Sequence, residues 1–255
     1  MTRALPDVPP PPAPDELHVF VGGLDPVAAS VACLLAAAGV CLLTVCDPAP
    51  VSPRDIRHGP YPAESEGRPR ELVLRGVLRR SAPRCVPLSA PELFPTAALP
   101  GTVVLNSWQV AGELVQDLRG PDTTVLDAAL PTVTVVTDGA TVLRWPFTDW
   151  GHRPCAPCLL AAVRQARRRV RHGPATPGTQ LLPGPDAPVG AATRAVAAGE
   201  LAGLLVVRGL GLDGAAAGET PGAAPVGGPV MRRGLTMTPL PPNPECLCSL
   251  AFEAP

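Results

Sequence analysis

Two close cysteine pairs carry the clearest chemistry in the sequence, Cys155-x-x-Cys158 and Cys246-x-Cys248. Four thiolates hold zinc tetrahedrally, and a chain usually supplies them as two such pairs. The first pair lies in P-C-A-P-C ahead of a helical pattern, the second in P-E-C-L-C. A site built from all four would clip the C-terminal region to the middle of the fold and leave no open position for catalysis. Spacing alone also allows separate exposed thiols or a local redox pair, because Cys-x-Cys is the less regular half-site. His152 reads as a surface residue. Cys33, Cys41, Cys46 and Cys85 lie on apolar segments and read as small buried hydrophobes.

The second candidate region is Leu17–Asp47. It is laid out as strand, Gly22-Gly23 turn, apolar helix, second strand and terminal acid, which is half of a mononucleotide-binding unit. Pro26 suits a first helical turn and Gly39 a helix end. An acid at Asp47 could accept ribose hydroxyls or simply close the strand as a turn residue before Pro48. The glycines fit poorly: a phosphate-binding turn wants G-x-G-x-x-G, and the chain has GGLDPVA. Asp25 falls where a phosphate would approach the helix N-terminus, so its carboxylate can satisfy that helix end and repel the anion.

Three further sets are weaker. Arg54, Arg57, His58, Arg68 and Arg70 flank a long loop that could approach an anion at the sheet edge, with a solvated arginine-rich surface as the preferred reading. Asn106 follows the apolar run Gly101–Leu105, where ligand-facing residues emerge from open sheets, but a helix cap is preferred. Arg164, Arg167, Arg168, Arg169 and Arg171 form a basic run, read as a solvated face.

The elements that must position these residues read as follows. Arg70–Arg80 and Leu159–Val170 have helical spacing, as does Val189–Val207. Ser107–Leu118 is predicted helical from Val110, Ala111, Leu114 and Val115. Cys85–Leu88, Gly101–Leu105, Thr123–Leu126 and Val230–Met237 are predicted strands. Asp138-Gly139 turns a hairpin over 132–145. Residues 1–15 are a proline-rich tail, Pro48–Glu66 a loop, and 209–229 a loose insertion. With 46% apolar residues in 255, the chain can build a substantial core, and one domain over 16–255 is the expected count.

Composition narrows the functions. The formal net charge is −1 and aromatic residues make up 3%, which argues against a nucleic-acid partner. All 21 basic residues are arginine, so lysine-dependent chemistry is excluded. No membrane span and no signal peptide are expected, and a cytoplasmic setting fits the paired cysteines better as metal ligands than as disulfides.

The order of these features resembles the ThiF/MoeB/E1-like adenylating proteins, and within them the branch of azole- or thiopeptide-type peptide biosynthesis. The stretches that carry it are VFVGGLDPVAASVACLLAAAGVCLLTVCDPAPVSPRDI, EGRPRE, GTVVLNSW, HRPCAPCLLAA and PPNPECLCS. The resemblance implies an α/β fold: a Rossmann-like, mostly parallel sheet over 16–130, with helices on both faces, and an antiparallel extension over 131–255. It also implies zinc on Cys155, Cys158, Cys246 and Cys248, and a homodimer that the helix Val189–Val207 could help bury. Active members use ATP and Mg²⁺ to adenylate a C-terminal carboxylate. Two of their three fingerprint glycines are changed, the three falling on Gly23, Asp25 and Ala28; their loop arginine falls near His58, Arg70 stands for their lysine, and their Mg²⁺-associated aspartate falls on or near Asn106. Asp47 alone of these elements is kept. The resemblance therefore implies a degenerate member, a scaffold or recognition subunit for a peptide or protein partner. An active adenylyltransferase is the alternative. A NAD(P)-dependent oxidoreductase is a third reading, disfavoured by the cysteine pairs and the missing tyrosine–lysine pair.

Overall fold

A computed structural model describes residues 13–89, 102–111, 114–117, 130–138, 141–145, 154–172, 190–210, 230–233 and 236–240. The opening unit forms as its sequence dictates. Strand β1 (His18–Gly22) is wholly buried, and Gly23 makes the turn at a φ of 76°, a conformation costly for any residue with a Cβ. Helix α1 (Pro26–Ala37) starts on Pro26 and ends at Gly39, where φ is 97° and the Val40 N–H donates to the Leu35 carbonyl. Strand β2 (Leu42–Cys46) follows and pairs with β1 in parallel.

Residues 48–66, expected as a loop, contain helix α2 (Pro53–His58) and a short 3-10 turn. Ser52 and Asp55 cap α2 reciprocally, which lets so short a helix persist. Helix α3 (Arg70–Ser81) then leads to strand β3 (Val86–Ser89).

The expected helix Ser107–Leu118 is a correction. Strand β4 (Val103–Ala111) runs through Ser107 and is followed by β5 (Leu114–Asp117), antiparallel to it. The apolar residues that mimic a helical stripe are cross-strand pairs, Val110 opposite Val115 and Ala111 opposite Leu114, and Val110 packs with Trp108 against an apolar cluster that includes Leu143, Trp145 and Leu159. Strands β6 (Thr132–Asp138) and β7 (Thr141–Arg144) form the expected hairpin. Helices α4 (Ala156–His172) and α5 (Ala191–Gly209) match the remaining helical patterns. The single strand expected at Val230–Met237 is instead a hairpin of β8 (Val230–Arg233) and β9 (Thr236–Pro239).

The nine strands of the described residues join one sheet, ordered β3-β2-β1-β4-β6-β7-β8-β9, with β5 beside β4. The first five in that order are mutually parallel, and the rest are antiparallel. The parallel region thus extends beyond 130 to include β6. The main core lies between the sheet and α1, α3 and α5, and includes Val19, Val21, Val31, Leu35, Leu43, Leu74, Leu201 and Leu205. The apolar face of α5 packs on α1, so an intramolecular contact buries it. Among the described residues no helix is long and apolar enough to cross a membrane. The expected strand Thr123–Leu126, the 211–229 part of the insertion, His152, Cys246 and Cys248 lie outside the described residues.

Candidate functional site

The strand order reverses between β1 and β4, and open α/β sheets bind ligands in the crevice at such a switch point, beyond the carboxyl ends of the strands. Gly22, Gly23, Asp25, Asp47 and Asn106 all lie at that edge.

Asp25 caps α1. Its Oδ1 accepts the Val27 and Ala28 N–H groups at 2.7 and 3.0 Å. Its Oδ2 accepts the Ser107 hydroxyl at 2.8 Å and the Thr137 hydroxyl at 3.0 Å. The side chain is 2% exposed. A carboxylate thus sits on the amides at which a helix N-terminus would receive an external anion.

Asp47 is fully buried, and its carboxylate is also engaged. Oδ2 accepts the Leu24 N–H at 2.8 Å and the Arg70 guanidinium at 3.1 Å, while Oδ1 accepts the Ala49 N–H at 2.9 Å. Burial pushes the Asp47 carboxyl above its ordinary pKa, and Arg70 and the two amides pull it back. Arg70 is no solvated surface group. Its Nε and Nη2 both donate to Asp55 Oδ2, at 3.0 and 2.8 Å, so one guanidinium joins two carboxylates that are 0% and 1% exposed. Burial works against its charge, but Asp47 and Asp55 outweigh that and hold the guanidinium above its ordinary value. Tyr61 completes the lock by donating its hydroxyl to the Leu24 carbonyl at 2.7 Å.

Arg54, His58 and Arg194 line a small cleft with Asp25, Pro26, Val27 and Thr137. Its volume is about 10 Å³, room for about one water. Partial burial and then Arg194, Arg57 and Arg54 lower the His58 pKa, so the imidazole there favours its neutral form. Part of the loop arginine set therefore does reach the sheet edge. Arg194, on a helix far along the chain, had no sequence signal to place it there.

Asn106 is not a helix cap but an interior residue of β4, opposite Gly22 on β1 and Thr134 on β6. It is 5% exposed. Two buried atoms on this strand lack a hydrogen-bond partner among the described residues, the Asn106 Oδ1 and the Trp108 indole N–H. Each such group costs about 1–3 kcal/mol if left unpaired.

Cys155 and Cys158 stand at the start of α4, both half-buried and separated by two residues, the spacing of a zinc half-site. No complete group of metal-ligating side chains occurs among the described residues, which exclude the second pair. In the basic run, Arg164, Arg168 and Arg169 are exposed, whereas Arg167 forms a two-point ion pair with Asp138 at 2.9 and 3.0 Å.

No protein-family model matches the sequence, and no curated protein matches it. Solved structures do. MccB of E. coli with AMPCPP and MccA aligns at a TM-score of 0.54 and 13% identity, over 91% of this chain and 67% of that one. The microcin C7 biosynthetic enzyme MccB in complex with N-formylated MccA aligns at 0.56 and 13%, over 92% and 69%. PaaA aligns at 0.53 and 14%, over 88% and 72%. The likeness establishes a shared fold, the E1-like, ThiF-type arrangement that the sequence resembles.

Proposed function

We propose that this chain is a degenerate E1-like protein that serves as a scaffold or recognition subunit in the biosynthesis of ribosomally made, modified peptides. The observation that carries the reading is Asp25. Its four hydrogen bonds occupy the helix N-terminus and tie it to β4 and β6, so the chain's own carboxylate stands in the anion position. The remaining residues do not fit ATP and Mg²⁺ either. Asp47 is enclosed by Arg70 and two amides, and Asn106 offers a neutral amide where a cation would prefer a carboxylate. No step through a nucleotide is derived for this site.

The fold likeness to MccB, whose structures hold MccA, supports a peptide or protein partner. The same reading has Cys155, Cys158, Cys246 and Cys248 hold a structural zinc, and has the chain work as a homodimer. Zinc would supply a rigid link between the start of α4 and the C-terminal region.

The second reading, an ATP-dependent adenylyltransferase, is favoured by the cleft that Arg54 and Arg194 line and by the ATP-bound structure of MccB. Incubation of the purified chain with ATP and a library of short peptides separates the two. The scaffold reading expects peptide to be retained without release of pyrophosphate. Peptide-dependent pyrophosphate release overturns it.

A further inference from the structure

Asn106 and Trp108 lie two residues apart on β4, so their side chains leave the same face of the sheet. It is the face opposite Ser107, which turns to Asp25 and α1. Both residues stand at the switch point. Up to Asn106 the neighbour of β4 on this side is β1, which ends at Gly22; from Trp108 onward it is β5. Gly22, opposite Asn106, has no side chain. Apolar residues lie near the pair: Trp108 packs against the cluster that holds Leu143 and Trp145, and Val104, two residues before Asn106 on the same face, belongs to a cluster with Phe20 and Cys46.

The chemistry of the two atoms is specific. Asn106 Oδ1 requires a donor, and the Trp108 indole N–H requires an acceptor. An ionised carboxylate or a phosphodiester offers no donor, and an ammonium offers no acceptor. An uncharged amide offers both, on the two atoms bonded to its carbonyl carbon, and its neutrality suits the apolar surroundings. Strand residues two apart stand about 6.7 Å from each other at Cα, so one small group can serve both side chains.

We propose that Asn106 and Trp108 form a recognition site for a neutral amide group, the amide N–H donating to Asn106 Oδ1 and its carbonyl accepting from the Trp108 indole. The proposal rests on the peptide-partner reading above and names the group that such a partner presents.

The test uses the full chain with ¹⁵N-labelled tryptophan and propionamide as the probe, with propionate as its charged isostere. Propionamide should move the Trp108 indole resonance downfield in a saturable manner, and propionate should not. Trp108→Phe, which keeps a ring and removes the N–H, assigns the resonance. Asn106→Leu should weaken propionamide binding about tenfold, the loss of about one hydrogen bond, while melting at the wild-type temperature or above it. No saturable shift, equal binding of propionate, or a long-lived buried water at the indole that propionamide does not displace would each overturn the site. None of these readouts involves ATP, so failure of the amide site is distinct from failure of the scaffold reading.

Discussion

Replacing Arg70 by Met removes the cation that joins Asp47 and Asp55 while keeping most of the side chain's volume. Three donor contacts disappear, at 2.8, 3.0 and 3.1 Å, and two carboxylates that are 0% and 1% exposed lose their counter-charge. Breaking a buried pair in this way costs about 3–5 kcal/mol. For a chain of this size that lowers the melting temperature by about 10 °C. The pH dependence identifies the cause. Burial already holds the Asp47 carboxyl above its ordinary value, and Arg70 is the first of the groups pulling it down. Without Arg70 the folded carboxyl titrates higher still. Between the unfolded value and that raised value the folded state binds more protons than the unfolded one, so stability falls as pH rises through this window. The deficit of the variant should therefore be largest at neutral pH and shrink on acidification toward about pH 4, where the unfolded carboxyl is itself about half protonated. Urea titrations of both proteins between pH 4 and 7.5 measure this directly. A deficit independent of pH would mean that the Arg70 stem, and not its charge, matters, and would refute the argument.

Other outcomes follow from the same structure. His18 is buried between the Thr44 and Thr102 hydroxyls at 2.8 and 3.0 Å, and burial lowers its pKa to about 4. Its contribution is fully present above about pH 6.5 and is lost as pH falls through about 4, a change of about 3 kcal/mol; His18→Gln should flatten that part of the stability profile, and an unchanged slope contradicts the assignment. Elemental analysis of chain purified under reducing conditions should find about one zinc per chain, and Cys155→Ser should reduce it; absence of metal from the wild type removes the clip. Gly23→Ala should destabilise the chain by about 1–2 kcal/mol, read by urea denaturation, because the turn requires a φ of 76°.

The parts of this structure that sequence discloses are those decided locally. The stretch from β1 to β2 is legible because an apolar run, Pro26 and Gly39 each specify their own conformation. Asp25 is legible as a cap for the same reason, since its first two partners lie two and three residues away. Its other two, Ser107 and Thr137, are 82 and 112 residues distant and depend on strand order. Arg70 reads as exposed because arginine normally is; only the meeting of β2, α2 and α3 supplies two buried carboxylates to receive it. The β4–β5 segment misleads because Val110, Ala111, Leu114 and Val115 satisfy a helical period while lying on paired strands.

The central claim, that the chain fills its own anion site, meets its most direct test in calorimetric titration of the wild-type chain with ATP and Mg²⁺. With Asp25 on the α1 amides and Asp47 enclosed by Arg70, the account predicts no binding in the micromolar range. Micromolar affinity for ATP that falls on Asp47→Ala would contradict it and restore the nucleotide to this site.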